Sequence, residues 1–308
     1  MRQSITLSGL YALLILASVI VTPLAAVATP IPQAAHVEIH VQEGQWGAAT
    51  PGDIETVLTS VATDLLQFFP DKQLSPIRVV ADASGPRVFF DRNTKGEYLV
   101  FLSVKDARWD QFTYQFSHEL CHILSNHDHK DMTDHGVARD NQWFEEAICE
   151  STSLMTLQHM ALRWEQSPPY PQWREYAPAF REYAANLLNQ PHRELTAGLT
   201  FAVWYQKNQA SLRSDPYLRD KTELVASALL VVFEHDPRSL SAIAYLNEEK
   251  SATSGSFRDY LTSWRSCCPQ THRNVVRRTM ALFGMPDSEA SPKLLLAAYS
   301  SASAAGNR

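Results

Sequence analysis

The sequence has no block of lysine and arginine and no RNA-binding signature. Lys and Arg together number 27 against 33 Asp and Glu, which gives a formal net charge of −6. Proteins that bind nucleic acid usually carry a clustered basic excess on one face or along one helix. Nucleic acid is therefore not an expected partner of this chain.

Internal repeats are also missing, and beyond residue 28 no segment is long and apolar enough to cross a bilayer. A chain of 308 residues that is 45% hydrophobic and 19% charged is neither disordered nor collagen-like, and it can bury a sizeable core. One large domain or two smaller ones fit this length.

The first 28 residues resemble a signal peptide. The segment 3–33 carries no charge, its apolar centre covers residues 10–21, and Ala26-Val27-Ala28 forms a small-x-small cleavage pattern. We expect cleavage before Thr29 and export of the mature chain to the periplasm or beyond, with no membrane span left after cleavage. The alternative is a segment that is kept as an uncleaved membrane anchor.

Cysteine is scarce, with 4 residues: Cys121, Cys149, Cys267 and Cys268. Two disulfides in three possible connectivities are compatible with this number, and export favours at least one bridge. A bridge between Cys121 and Cys149, which lie on two predicted helices, is our expectation. Two small buried thiols are the alternative, and the connectivity of Cys267 and Cys268 stays open.

The most informative feature is an H-E-x-x-H motif, formed by His118, Glu119 and His122. Four residues make slightly more than one helical turn, so both imidazoles lie on one face of a helix with the carboxylate beside them. This is the start of a hydrolytic zinc site. Such sites generally take three protein ligands and leave one position for water, so a third ligand is required.

Hydrophobic periodicity places the motif late in a mixed α/β segment. We predict an α+β fold: a mixed sheet with the motif helices in residues 29–165, followed by a mostly helical subdomain in residues 166–308. Prolines at positions 168, 169 and 171 mark the boundary. In the helical subdomain we predict helices at 176–188, 222–233, 240–246, 257–264, 274–283 and 292–299. The predicted elements before the second motif helix begin with a strand at 36–41 and a helical period at 54–69, which Pro51-Gly52-Asp53 leads into. Strands at 76–81, 87–90 and 97–104 and a helix at 108–125 follow.

The third ligand is sought in the next predicted helix, where residues 142–150 read QWFEEAICE. This segment resembles the gluzincin metallopeptidases, whose second helix commonly carries Trp-apolar-x-Glu-Gly-x-Ala with the Glu as ligand. Aligning Trp143 and Phe144 with that pattern places Glu146 at the ligand position, with 23 residues between it and His122. The chain departs from the pattern at Ala147, where Gly is commoner.

Glu145 is the alternative ligand, because neighbours on a helix point about 100° apart and only one of them can face the metal. Glu150 lies one turn after Glu146 on the same face. In proteins that this chain resembles, a carboxylate there accepts a hydrogen bond from the first zinc histidine, here His118. Without the upstream motif, an exposed acidic helix face would be the ordinary interpretation of these glutamates.

The resemblance implies one Zn²⁺ per chain, held by His118, His122 and Glu146, with Glu119 as the general base. It also implies a zincin-like order of elements. The strand at 98–103 would then be the sheet edge that borders the cleft and pairs with extended substrate. An oxyanion donor is expected from the helical half. Tyr217 is the first candidate, followed by Tyr245 and His235, and none is assigned.

Residues 127–135 are rich in Asp and His, but their spacing matches no familiar ligand loop, so we expect a solvated loop rather than a second metal site.

The leading hypothesis is an exported zinc metallopeptidase that cleaves a peptide or protein substrate. The alternative is a catalytically silent zincin-fold binding or scaffold protein of the cell envelope. A third interpretation is an accidental motif in a helical exported binding module. Substrate, endo- or exopeptidase action and oligomeric state are open at this point.

Overall fold

The computed structural model describes residues 36–130, 132–133, 136–137 and 139–285. The predicted signal peptide, the predicted helix at 292–299 and Asp131, Asp134 and His135 of the acidic loop lie outside these residues. The described residues form helices and a small four-stranded mixed sheet, so the coarse prediction of an α+β fold is confirmed. No helix in this part of the chain combines the length and apolarity that a membrane crossing needs.

The sheet consists of β1 (Ile39–Val41), β2 (Ile77–Ala81), β3 (Arg87–Val88) and β4 (Tyr98–Leu102). Its spatial order is β1-β2-β4-β3, with β1, β2 and β4 parallel and β3 antiparallel to β4. The expectation that residues 98–103 form the sheet edge is therefore wrong. The chain folds back after β3 and covers that side of β4, so β3 is the edge strand.

Two helices pack against the sheet, and the second of these and the next helix in the chain carry the candidate site. These three helices are α1 (Pro51–Leu66), α2 (Trp109–Leu124) and α3 (Gln142–Gln166). Helix α1 begins after Thr50, whose side chain accepts a hydrogen bond from the Asp53 amide, a standard way to satisfy a free amide at a helix start. It makes the crossover between the parallel strands β1 and β2, while α2 packs along α3.

The remaining elements are short strands and helices. They are β5 (Met132–Thr133), β6 (Gly136–Val137), α4 (Ala177–Leu188), α5 (Phe201–Ser214), α6 (Arg219–Glu234), α7 (Phe257–Cys267) and α8 (Arg273–Leu282), with 3-10 helices at His127–His129, Pro171–Tyr176, Pro191–Arg193, Pro237–Tyr245 and Lys250–Ser254. The helical character of the C-terminal region was predicted, but α5 was not.

Helix α3 is buried on nearly all sides, although it contains many polar residues. Its buried hydroxyls satisfy themselves within the helix: Ser151, Thr152 and Ser153 each donate to the carbonyl four residues earlier, at 2.8 to 2.9 Å. Because these hydroxyls are hydrogen-bonded to carbonyls of their own helix, the helix can pass through the hydrophobic core. The glutamates at its N-terminal end are thereby carried inward, and an exposed acidic face is wrong for Glu145 and Glu150, which are both buried.

One hydrophobic core joins residues from both predicted subdomains. Phe144 on α3, for example, packs against Phe257 and Phe283, with ring centroids 5.0 and 5.8 Å apart. The division at residues 165 and 166 stays a prediction. The helical region contributes directly to the surroundings of α3.

Candidate metal centre

The motif helix and α3 bring three potential ligand atoms together. His118 Nε2 and His122 Nε2 lie 3.2 and 3.5 Å from the same atom, Glu146 Oε2. The ligand atoms of the three residues are all within 4.8 Å of one another. Two imidazole nitrogens and one carboxylate oxygen are a ligand set that suits Zn²⁺ with an open fourth position. The residues present therefore fit a zinc ion.

Glu145 does not face the three candidate ligand atoms. Its carboxylate lies on the Nδ1 side of the His122 ring. Its Oε1 lies 2.7 Å from His122 Nδ1, and the carboxylate is fully buried. Since a carboxylate accepts, Nδ1 is the donor in this hydrogen bond, which leaves Nε2 facing Glu146 and, once deprotonated, available as a metal ligand there. The two adjacent glutamates thus take different places around His122.

Glu150 lies beside His118 but is engaged elsewhere. Its Oε2 is 4.0 Å from His118 Nδ1, which is too long for a hydrogen bond. It accepts from the Tyr114 hydroxyl instead, and Arg193 Nη2 donates to its other oxygen at 2.6 Å. The hydrogen bond expected from the resemblance is therefore not formed in the structure, because Tyr114 and Arg193 hold the carboxylate.

The electrostatics of the metal-free site favour charged imidazoles next to an ionised carboxylate. Burial by itself lowers the pKa of His122, but the charge of Glu146 and the hydrogen bond with Glu145 outweigh burial and leave this pKa well above its ordinary value. For Glu146 the balance is reversed. Burial raises its pKa, and the charge of His122 with the hydrogen bond from His118 brings it well below the ordinary value. Both directions favour a site that attracts a cation once the imidazoles lose their protons.

Glu119 lies between the two histidines in the sequence. Its side chain is buried, and it is not part of the ligand cluster. Burial raises its pKa. The backbone N–H of Val88, on the edge strand β3, faces this carboxylate and offsets part of the rise in its pKa. A carboxyl group of raised pKa beside a metal is suited to exchange protons with water near neutral pH.

The site opens into a cleft of about 790 Å³. One wall is formed by the motif residues, a second by Arg87, Val88 and Phe89 at the sheet edge, and the helical side contributes Tyr217. Partial desolvation and the charge of Glu146 raise the pKa of Tyr217, which keeps its hydroxyl available as a donor. Tyr245 and His235 are not among the described residues that line this cleft.

Several residues around the ligands were not found by sequence reasoning. Gln142 Nε2 donates to Glu146 Oε1 at 2.6 Å, and Asn247 Nδ2 donates to Glu145 Oε2 at 2.9 Å. Lys130 Nζ lies 2.7 Å from Glu145 Oε2 and also donates to the Gln142 side chain. Among these residues, only Gln142 could have been found from the sequence. It lies one helical turn before Glu146, and that spacing places the two side chains side by side.

The expectation of a solvated loop is wrong at His127, which is 5% exposed and lines the cleft. His127 Nε2 lies 3.0 Å from the Phe89 carbonyl oxygen, so this nitrogen carries the proton and donates. Its Nδ1 is buried and has no hydrogen-bond partner among the described residues. His127 thus connects the segment after the motif helix with the chain that follows β3.

The expected bridge between Cys121 and Cys149 is not present, since all four cysteines are free thiols. The two thiols are buried close to each other, and Cys121 Sγ lies 3.5 Å from Thr152 Oγ1. The alternative of small buried thiols between α2 and α3 describes this pair.

A scan against models of protein families finds no match to this chain, and a search of curated proteins finds none either. The geometry of the site and of the fold around it therefore carries the functional argument.

Proposed function

We propose that the protein is an exported zinc-dependent metallopeptidase with a gluzincin-type site on a zincin-like fold. The observation that carries the proposal is the convergence of His118, His122 and Glu146 on one point, with Glu119 next to them but outside the ligand set. The sequence pattern of residues 1–28 supports export. The sheet of mixed direction before the motif helix supports the zincin-like fold.

The two imidazole Nε2 atoms and a Glu146 oxygen would hold the ion. Zinc, when bound, would polarise a peptide carbonyl and acidify a nearby water molecule. Glu119 takes the proton of the attacking water and returns it to the leaving amine, the role for which its raised pKa suits it. Tyr217 donates its hydroxyl to the carbonyl oxygen as negative charge develops there.

The substrate in this proposal is an extended peptide segment bound along β3. Phe89 N–H donates inward to the Leu99 carbonyl at 3.0 Å, so the alternate residue Val88 presents its N–H away from β4, on the side that faces Glu119. Arg87, Val88 and Phe89 all line the cleft. Strand addition at a free sheet edge supplies main-chain hydrogen bonds, and neighbouring side chains then select the substrate.

The test is Glu119→Gln in the full mature chain. We expect zinc content like that of the wild type and a drop in peptide hydrolysis of about 100- to 10,000-fold, the range for loss of a general base. Zinc is measured by elemental analysis and hydrolysis with a pool of quenched fluorescent peptides. Glu165→Gln, on the exposed end of the same helix α3 as Glu146, is the matched control and should change neither quantity.

Undiminished hydrolysis in Glu119→Gln would refute the assigned base. Wild-type protein that binds one zinc ion but cleaves no peptide would support the catalytically silent scaffold instead. Wild-type protein without zinc affinity would leave the accidental-motif interpretation.

A further inference from the structure

Lys130 is a buried ammonium group placed behind the candidate metal site. Its side chain is 7% exposed, and it is not a member of the candidate ligand cluster. A lysine is seldom buried unless its charge is paired, because desolvation of an ammonium ion is costly. Its two partners, Glu145 and Gln142, each contact a different member of the ligand cluster.

We propose that Lys130 is a positioning residue that organises two of the three metal ligands at once, aiming His122 through Glu145 and Glu146 through Gln142. The inference deepens the proposed function and rests on the metal site that it assumes. It concerns metal affinity and ligand geometry, so it can be decided without measuring peptide hydrolysis.

The first route runs from Lys130 to His122. Glu145 Oε1 accepts from His122 Nδ1 at 2.7 Å, while Glu145 Oε2 faces Lys130 Nζ at 2.7 Å. Both oxygens of a fully buried carboxylate are thus occupied. Removing the ammonium would leave an uncompensated buried charge, and the carboxylate would move toward other donors. Such a movement would loosen its hold on the His122 ring.

The second route runs from Lys130 to Glu146. Lys130 donates to Gln142 Oε1, which fixes the orientation of the Gln142 amide, because an ammonium can only donate. The amide nitrogen is thereby turned to Glu146 Oε1 at 2.6 Å. This contact holds one carboxylate oxygen and leaves Oε2 facing the two imidazoles. A flipped amide would set two oxygens against each other.

The experiment compares Lys130→Met with wild type in the full mature chain. Zinc affinity is measured by competition with a chromophoric chelator, and ligand geometry by the visible absorption of the Co²⁺-substituted protein. Lys207→Met, which removes an exposed lysine on α5, is the matched control. Thermal unfolding of the metal-free proteins reports the integrity of the fold.

We expect Lys130→Met to weaken zinc binding about 10- to 100-fold, as loss of outer partners of metal ligands typically does, and to alter the cobalt spectrum. Lys207→Met should change neither. The cost should shrink when Glu145→Gln is already present, since the charge that Lys130 offsets is then gone. An equal cost in both backgrounds would refute the route through Glu145.

Zinc affinity of Lys130→Met within about twofold of wild type, with an unchanged cobalt spectrum, would overturn the proposal, because contacting residues normally show measurable coupling. If Lys130→Met does not fold, the double variant Lys130→Met/Glu145→Gln removes both charges and is compared with Glu145→Gln alone. Weaker zinc binding in the double variant supports the route through Gln142, and equal binding overturns it. Wild-type protein that binds zinc without hydrolysing peptides would defeat the proposed function but not this inference.

Discussion

Asn126 and Asn247 lie far apart in the sequence, and the side chain of each donates hydrogen bonds to main-chain carbonyls next to the other. Asn126 Nδ2 donates to the carbonyls of Ala244 and Leu246, each at 2.8 Å, and Asn247 Nδ2 donates to the Ser125 carbonyl at 2.9 Å. Both asparagines are buried and have left-handed backbone angles, with φ of 58° and 57°. Asparagine tolerates this region better than most residues.

This asparagine pair bears on the candidate site because it begins directly after the motif helix. Asn247 also donates to Glu145, the partner of His122, and its Oδ1 accepts from the Tyr260 hydroxyl at 2.6 Å. The helical C-terminal region therefore supplies part of the hydrogen-bonding environment of the candidate metal ligands. Its role in the site is wider than the single oxyanion donor expected from the sequence.

Replacing Asn247 with Ala should lower the free energy of unfolding by about 1 to 3 kcal/mol, because the Ser125 carbonyl and Glu145 lose a buried donor. Urea unfolding of the metal-free protein measures this. Alanine at this positive φ also adds backbone strain. Asn247→Gly separates that strain from the loss of the hydrogen bonds, since glycine accepts a positive φ without strain. Wild-type stability in Asn247→Gly would show that strain, not the lost hydrogen bonds, explains the alanine result.

Glu146→Ala should abolish stoichiometric zinc binding, because it removes one of three ligands. Glu145→Ala should bind zinc about 10- to 100-fold more weakly than wild type but still bind it, as expected for an outer partner of His122. Elemental analysis and chelator competition distinguish the two. Undiminished zinc in Glu146→Ala would contradict the ligand assignment, and the reverse order of effects would exchange the roles of the two glutamates.

Arg193→Met should destabilise the protein by about 3 to 5 kcal/mol, because it leaves charged groups buried without their counter-ion. Arg193 Nη2 lies 2.6 Å from Glu150 and 3.0 Å from Glu223, and its side chain is 1% exposed. Urea unfolding tests this. Arg181→Met breaks an exposed pair with Glu165 and should cost less than about 1 kcal/mol. Equal costs in the two variants would show that burial of the Arg193 network has no energetic weight.

Acid should lower the free energy of unfolding, and protonation of Glu97 should contribute to this loss. Bidentate hydrogen bonding from Arg78, followed by the hydrogen bond from Asn93, lowers the pKa of Glu97 to about 2. A carboxyl group whose pKa is lower in the folded chain stabilises the fold above its ordinary pKa, and this contribution is lost as pH falls toward the folded value. Stability should therefore fall between the ordinary carboxyl pKa and about 2. The slope of unfolding free energy against pH should be smaller in Glu97→Gln, and an unchanged slope would exclude this residue as a source.

Periodicity predicted most of the elements near the site, including both helices that carry ligands. It failed at α5, where the buried face consists only of Phe201, Tyr205 and Leu212 and the remaining positions are mostly polar. So thin an apolar stripe gives little helical period to detect. The place of β3 was missed for another reason. Strand order depends on which strands meet in space, and the alternation within each strand is the same for edge and centre.

The relative placement of His118, Glu119 and His122 follows from helical geometry, which is local and can be read from spacing alone. The separation of Glu145 from Glu146 around a helix is local in the same way. The partners of these residues are not. Lys130, Arg193 and Asn247 reach the site from other segments, and Asn247 is 102 positions away from the Glu145 carboxylate that it contacts. Such contacts arise from long-range packing of the core, so no periodicity within one helix contains them.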